Sequence, residues 1–170
     1  MTANSYPPIE DRYVSLLWAE AEAAADIAGL HKELFDPPWD AGAVRALLID
    51  PCASALVAKI RLRETSQPVP GGFAIGRIAA DEAEILSIGV SAPFQRRGIG
   101  RRLVEGLSRA VKASGANRLF LEVAADNVSA CGLYSSLGFT EVGRRPGYYK
   151  RSQGAAIDAL TLSRDLTRIP

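Results

Sequence analysis

The run Ala92-Pro93-Phe94-Gln95-Arg96-Arg97-Gly98-Ile99-Gly100-Arg101 sets three arginines and two glycines at the start of an apolar-periodic segment. A strand-to-helix junction of that composition suits an anion. The first turn of a helix leaves backbone N–H groups unpaired and carries the positive end of the helix dipole. Gly98 and Gly100 have no Cβ, so a phosphate can approach those N–H groups closely. Arg96, Arg97 and Arg101 add charge-assisted hydrogen bonds. The chemistry is that of a pyrophosphate site formed by Arg96, Arg97, Gly98, Ile99, Gly100 and Arg101. Nothing here fits the Walker pattern GxxxxGK[ST], and Leu103 stands where a dinucleotide fingerprint has its third glycine. Taken alone, the same residues also suit a basic, solvated helix start.

The elements that position this junction are readable on either side. Residues 84–90 form a strand pattern in which Ile85 and Leu86 favour burial. The clearest helix spans 98–113, where Leu103, Val104, Leu107, Ala110 and Val111 share one face and Ser114-Gly115 ends it. Upstream, Val14–Trp18 reads as a strand and 20–35 as a helix stopped by Asp36-Pro37-Pro38-Trp39. A second helix follows at Ala41–Leu48. Residues 53–62 and 73–80 read as strands flanking a loop over 63–72, where Gln67-Pro68-Val69-Pro70-Gly71-Gly72 is not expected to continue either regular structure. Downstream come a strand at 118–123, a helix at 129–137 closed by Gly138, and strands at 140–144 and 157–162. The fold class is α/β in sequence order and α+β by sheet type, with a mixed sheet.

Two further stretches decide between the readings of the junction. Leu121-Glu122-Val123-Ala124-Ala125-Asp126-Asn127 and Ala130-Cys131-Gly132-Leu133-Tyr134-Ser135-Ser136-Leu137-Gly138-Phe139 follow it, and then Gly147-Tyr148-Tyr149. Together with Gln95-Arg96-Arg97-Gly98-Ile99-Gly100, they resemble the GNAT acetyltransferases, whose QxxGxG/A signature binds the pyrophosphate of coenzyme A. The wording LEVxxxN, LYxSLGF and GYY is similar to the bacterial ribosomal-protein-alanine acetyltransferases (the RimI group). The resemblance is close over about 84–162, and looser before it, where it rests on helix order and Pro38-Trp39.

This resemblance implies a GNAT fold, a mostly antiparallel mixed sheet of six to seven strands flanked by four helices. It implies acetyl-CoA as co-substrate and a protein N-terminus, that of a small-subunit ribosomal protein beginning with Ala, as acceptor. Ile88, Gly89 and Val90 would offer strand backbone to the pantetheine arm, one N–H facing the thioester oxygen. Arg96 to Arg101 would hold the pyrophosphate and Asn127 would contact the cofactor. Glu122 matches the group's general base and Tyr134 its general acid. Those two roles also make chemical sense unaided. An α-amine of pKa ~7.7–8.0 must lose a proton before it attacks a thioester, and the departing thiolate benefits from a proton. Seen alone, Glu122 is a strand-end ion-pair partner and Tyr134 a core residue with a paired hydroxyl.

Other residues carry less. His31, the single histidine, reads as a surface or capping residue with no metal or triad partner. Trp39 suits either the core or an acceptor cleft. Cys131 reads as a small buried residue, and both cysteines as reduced thiols. Arg144, Arg145, Tyr148 and Tyr149 suit either a grip on the acceptor or a solvated rim.

The composition agrees with a single globular domain, 1–170, with 1–13 expected to be flexible: 48% hydrophobic and 23% charged, with a formal net charge of +1. Nothing in it demands nucleic acid or a membrane surface as partner, no metal site is expected, and no signal specifies an oligomeric state. The start lacks the basic and apolar regions of a secretory signal, so a cytoplasmic location is expected. Two rival functions remain: a GNAT enzyme acetylating a small-molecule amine or lysine side chain, for which Asp36, Asp40 and Asp81-Glu82-Ala83-Glu84 supply acidity, and a non-catalytic acyl-CoA-binding module.

Overall fold

Alternating apolar residues and i, i+4 spacings become strands and helices close to where the pattern puts them. A computed structural model describes residues 13–63, 65–150 and 154–169; the start expected to be flexible lies, apart from Tyr13, outside them. The order is β1 (Val14–Trp18), α1 (Ala24–Leu34, led in by a 3-10 turn), α2 (Ala41–Leu48), β2 (Ala53–Ile60), β3 (Val69–Ala79), β4 (Glu82–Val90), α3 (Ile99–Ala113), β5 (Arg118–Ala124), α4 (Val128–Ser136), β6 (Thr140–Tyr149) and β7 (Ile157–Asp165). The strands form one seven-stranded sheet in the order β1-β2-β3-β4-β5-β7-β6. β1 runs antiparallel to β2, β4 parallel to β5, and β7 antiparallel to both β5 and β6. The mixed sheet and four helices expected for a GNAT fold are present.

The described residues fall into two compact units. One holds the chain up to Ile75 together with Ser87–Leu107; the other holds Gly76–Leu86 and the chain from Ser108 on. In the first, Ile27, Val44, Ile60, Phe73, Ile75, Leu103 and Leu107 are fully buried. Such side chains each contribute about 1.5–3 kcal/mol by leaving water. Here α3 comes so close to β2 that a Cβ on Gly106 would lie 2.8 Å from Leu56 Cδ1. In the second, Val111, Leu119, Ala159 and Leu166 have no exposure. No described helix is long and apolar enough to cross a membrane.

Two strand boundaries differ from expectation by four residues or more. β3 starts at Val69, so Pro70, Gly71 and Gly72 belong to a strand rather than to the loop. Pro70 stands near the strand's start, where a missing N–H is tolerated. The glycines act as spacers: a Cβ on Gly71 would lie 2.1 Å from Ile60 Cδ1, and one on Gly72 3.0 Å from the Gly89 carbonyl. β6 likewise continues past Arg144 to Tyr149. It is the last strand of the sheet, and its register shifts between Arg145 and Tyr149, so Pro146 and Gly147 need not join a regular ladder.

Candidate active site

In the first unit, β4 delivers the chain into the glycine-arginine junction. Ser91 N–H donates to the Gly71 carbonyl at 3.0 Å, and Ala92–Phe94 make a 3-10 turn. The Gln95 side chain then turns back, its Nε2 donating to the Val90 carbonyl at 2.9 Å. Gln95 thereby closes the loop on the strand it left, a role the sequence did not reveal. Arg96 (φ 61°) and Gly98 (φ 78°) are left-handed, and Arg97 between them is not. Where αR and αL residues alternate, successive N–H groups can converge on an anion. The first i to i−4 bond of α3 runs from Arg102 N–H to the Gly98 carbonyl at 3.1 Å. The N–H groups of Ile99, Gly100 and Arg101 precede that bond, in the turn that has no acceptors within the helix itself. Ile99 is 1% exposed, so its side chain belongs to the core and only its backbone can meet a ligand. Arg96 is exposed, Arg97 half-buried, and Arg101 lies 3.6 Å from Glu105.

Ile88, Gly89 and Val90 are half-buried at the end of β4. A Cβ on Gly89 would lie 2.6 Å from Leu34 Cδ1, 3.2 Å from Phe73 Cε1 and 3.3 Å from Phe35 Cε2. The end of α1 therefore lies against this strand. His31, expected at the surface or as a cap, is instead 3% exposed. Its ring stacks on Trp39 with centroids 4.6 Å apart and tilts on Phe35 at 4.3 Å. Burial pushes its pKa below the usual imidazole value. One α1 residue passed unnoticed in the sequence: the Glu33 carboxylate accepts from Ser91 Oγ at 2.8 Å and from Ala92 N–H at 3.1 Å. Nothing local marks a contact that spans 58 residues.

In the second unit, Glu122 pairs with Thr161 across the β5–β7 ladder. Its Oε1 lies 3.1 Å from Arg145 Nε, with the side chain 24% exposed. Arg145 in turn stacks over the Tyr148 ring at 5.3 Å, and Tyr148 meets Tyr149 edge-on. The Tyr149 phenol is raised by burial, then by the Glu122 and Tyr148 charges. Glu122 is thus held in an ion pair beside aromatic side chains of β6. Tyr134, on α4, is 6% exposed and packs edge-on against Phe139 at 5.6 Å. Burial, then the Cys131 thiol, pushes its phenol up to about 12. Cys131 is half-buried rather than buried, its Sγ 3.9 Å from the Ala124 carbonyl.

Asn127 has a structural duty that the sequence reading omitted. It is the N-cap of α4, its Oδ1 accepting from Ala130 N–H at 3.1 Å. Asn127→Ala should cost about 1 kcal/mol of stability in a denaturant melt. Asn127→Asp keeps the cap, so a loss of acetyl-CoA affinity in that variant at unchanged stability would report a direct contact with the cofactor. Asp40, offered for an acidic acceptor pocket, is similarly engaged, with Oδ1 accepting from Ala43 N–H at 2.7 Å to cap α2. Among the described residues, no group of three or more His, Cys, Asp or Glu side chains is arranged to hold a metal ion.

Residues 17–139 match the acetyltransferase (GNAT) family, and the chain belongs to that family of acetyl-CoA-dependent N-acyltransferases. The particular relatives are consistent. The [ribosomal protein bS18]-alanine N-acetyltransferase of Salmonella typhimurium is 42% identical over 107 residues, 61% of this chain and 72% of the relative. The N-alpha-acetyltransferase RimI of Mycobacterium tuberculosis is 37% identical over 167 residues, 97% of each chain. The crystal structure of the ribosomal-protein-S18-alanine N-acetyltransferase from Escherichia coli superposes with a TM-score of 0.77 at 27% identity, covering 90% of this chain and 94% of that one.

Proposed function

We propose that this chain, acting as a single cytoplasmic acetyltransferase domain, moves the acetyl group of acetyl-CoA onto the α-amine of a protein N-terminus, with the N-terminal alanine of a small-subunit ribosomal protein as acceptor. The observation that carries the cofactor half is the junction itself. Left-handed Arg96 and Gly98 lead into the first turn of α3 beside three guanidinium groups, an arrangement that supports a site for two linked phosphates. The acceptor half rests on the relatives, which are named for acetylating N-terminal amines.

The residues divide the work by chemistry. Arg96, Arg97, Gly98, Ile99, Gly100 and Arg101 hold the pyrophosphate. Ile88, Gly89 and Val90 offer backbone groups to the pantetheine arm, and an N–H among them stabilises charge on the thioester oxygen. Asn127 adds a polar contact to the cofactor. Glu122, oriented by Arg145, takes the proton from the acceptor ammonium, directly or through water. The free amine attacks the thioester carbon, the C–N bond forms and the C–S bond breaks. Tyr134 supplies the proton that makes the departing thiolate a thiol, and solvent restores it. No covalent intermediate with the protein is required.

Release of free thiol from acetyl-CoA tests this reading against a panel: Ala-starting and other N-terminal peptides, an internal-lysine peptide, spermidine and an aminoglycoside. The Ala-starting peptide should be the best substrate by kcat/KM. A small amine that outcompetes every peptide would overturn the acceptor assignment and leave the cofactor site standing. Silence with every amine, despite tight acetyl-CoA binding, would favour a binding module.

A further inference from the structure

We infer that His31 is a positioning residue for the acceptor: it holds both ends of the loop between α1 and α2 and so keeps Phe35 against Gly89. The inference rests on the proposed placement of the thioester beside the Gly89 backbone.

The loop begins and ends on this one residue. Its carbonyl accepts from Phe35 N–H at 2.9 Å, and its Nδ1 accepts from Trp39 N–H at 3.1 Å. Trp39 directly precedes the α2 N-cap, Asp40, so its N–H has no place in the helical ladder. A buried imidazole carries a desolvation cost that a leucine on the same face of α1 would avoid. What it supplies, and leucine does not, is a hydrogen-bond acceptor aimed at the far end of the loop. The ring fills the space between Phe35 and Trp39 and also approaches Phe73, at 6.0 Å between centroids. Phe35 is 37% exposed, and one edge of its ring is the atom that a Cβ on Gly89 would meet at 3.3 Å. Phe35 is therefore fixed beside Gly89 on one side and open to an incoming molecule on the other. If the loop shifts, Phe35 moves with it, and an amine approaching Gly89 meets a different wall.

Two variants separate positioning from bulk packing. His31→Phe keeps an aromatic ring of similar size but leaves the Trp39 N–H without its acceptor. His31→Asn loses the ring but carries an oxygen near the position of Nδ1. Kinetics are read with the best N-terminal peptide from the panel and, separately, with acetyl-CoA varied. His31→Phe should raise the peptide KM by about tenfold, with kcat and the acetyl-CoA KM within about twofold of the parent. His31→Asn should bring the peptide KM back to within about threefold of the parent. Parallel losses in kcat and in both KM values would make His31 a packing residue and overturn the inference, as would an unchanged peptide KM in His31→Phe. Should His31→Phe fail to fold, Phe35→Ser at the exposed end of the same contact takes its place. It must raise the peptide KM selectively, and an unchanged value overturns the inference. A parent protein active only on small amines would instead overturn the acceptor reading beneath it.

Discussion

Tyr134→Phe should lower kcat by ~10²-fold or more while leaving acetyl-CoA affinity within about twofold. The substitution is a clean one, because phenylalanine keeps the ring that packs edge-on against Phe139 and removes only the hydroxyl. With its phenol pushed up to about 12, Tyr134 is protonated throughout the range in which an enzyme works. Such a phenol is a weak acid toward a thiolate, so its proton moves only as the C–S bond opens. The pH profile follows from the same value. Activity should rise through pH ~7.7–8.0 as the acceptor amine loses its proton, and tyrosine ionisation should impose no decline until the pH nears 12. Stability carries the opposite sign. An unfolded tyrosine ionises near pH ~10, below the folded value, so Tyr134 makes folding less favourable as pH rises above ~10. Stopped assays with titrated acetyl-CoA, together with calorimetric binding, check the separation. Equal losses of turnover and affinity would reduce Tyr134 to a packing residue.

Gly100→Asp should weaken acetyl-CoA binding by at least ~10²-fold, to the point that calorimetry detects none. Gly100 is the second residue of α3, in the turn whose N–H groups are unused by the helix. A side chain there fills the approach to the backbone, and a carboxylate sets like charge against phosphate. The same carboxylate is favourable for the helix itself, because an acidic residue in the first turn complements the dipole. Thermal stability should therefore hold while binding disappears, which separates a lost site from a lost fold. Normal affinity in this variant would show that the pyrophosphate lies elsewhere.

Where local chemistry decides a boundary, the sequence was a sufficient guide. β1 and α2 occupy the expected residues, Val14–Trp18 and Ala41–Leu48, because Asp40 caps α2 and Asp50-Pro51 follows it. The elements that went astray are those whose neighbours override propensity. Gly71 and Gly72 look like breakers until Ile60 and the Gly89 carbonyl are seen pressing on them. Pro146 looks like a stop until β6 proves to be the last strand of the sheet. His31 was misread as a surface or capping residue: it shares the buried face of α1 with Ile27 and Leu30, and its hydrogen bond to the Trp39 backbone had no signature in residue types. The strand-to-helix junction between Val90 and Ile99 was legible because Pro93 and Gly98 separate two apolar patterns of different period. The Arg145–Glu122 pair was not, since β7 lies between their strands in the sheet order and no sequence spacing encodes that.

Arg96 sets a limit on how far this protein can be hardened. A left-handed backbone at a residue with a side chain costs about 1–2 kcal/mol, and Arg96 holds φ 61° in an exposed loop. A search for heat-resistant variants would therefore be drawn to glycine at this position, which relieves the strain at once. With Arg96 in the proposed pyrophosphate site, the same exchange also removes a guanidinium from that site, so resilience and cofactor capture would pull in opposite directions at a single residue. Directed evolution under heat alone would tend to erase it, whereas selection for acetylation would keep it.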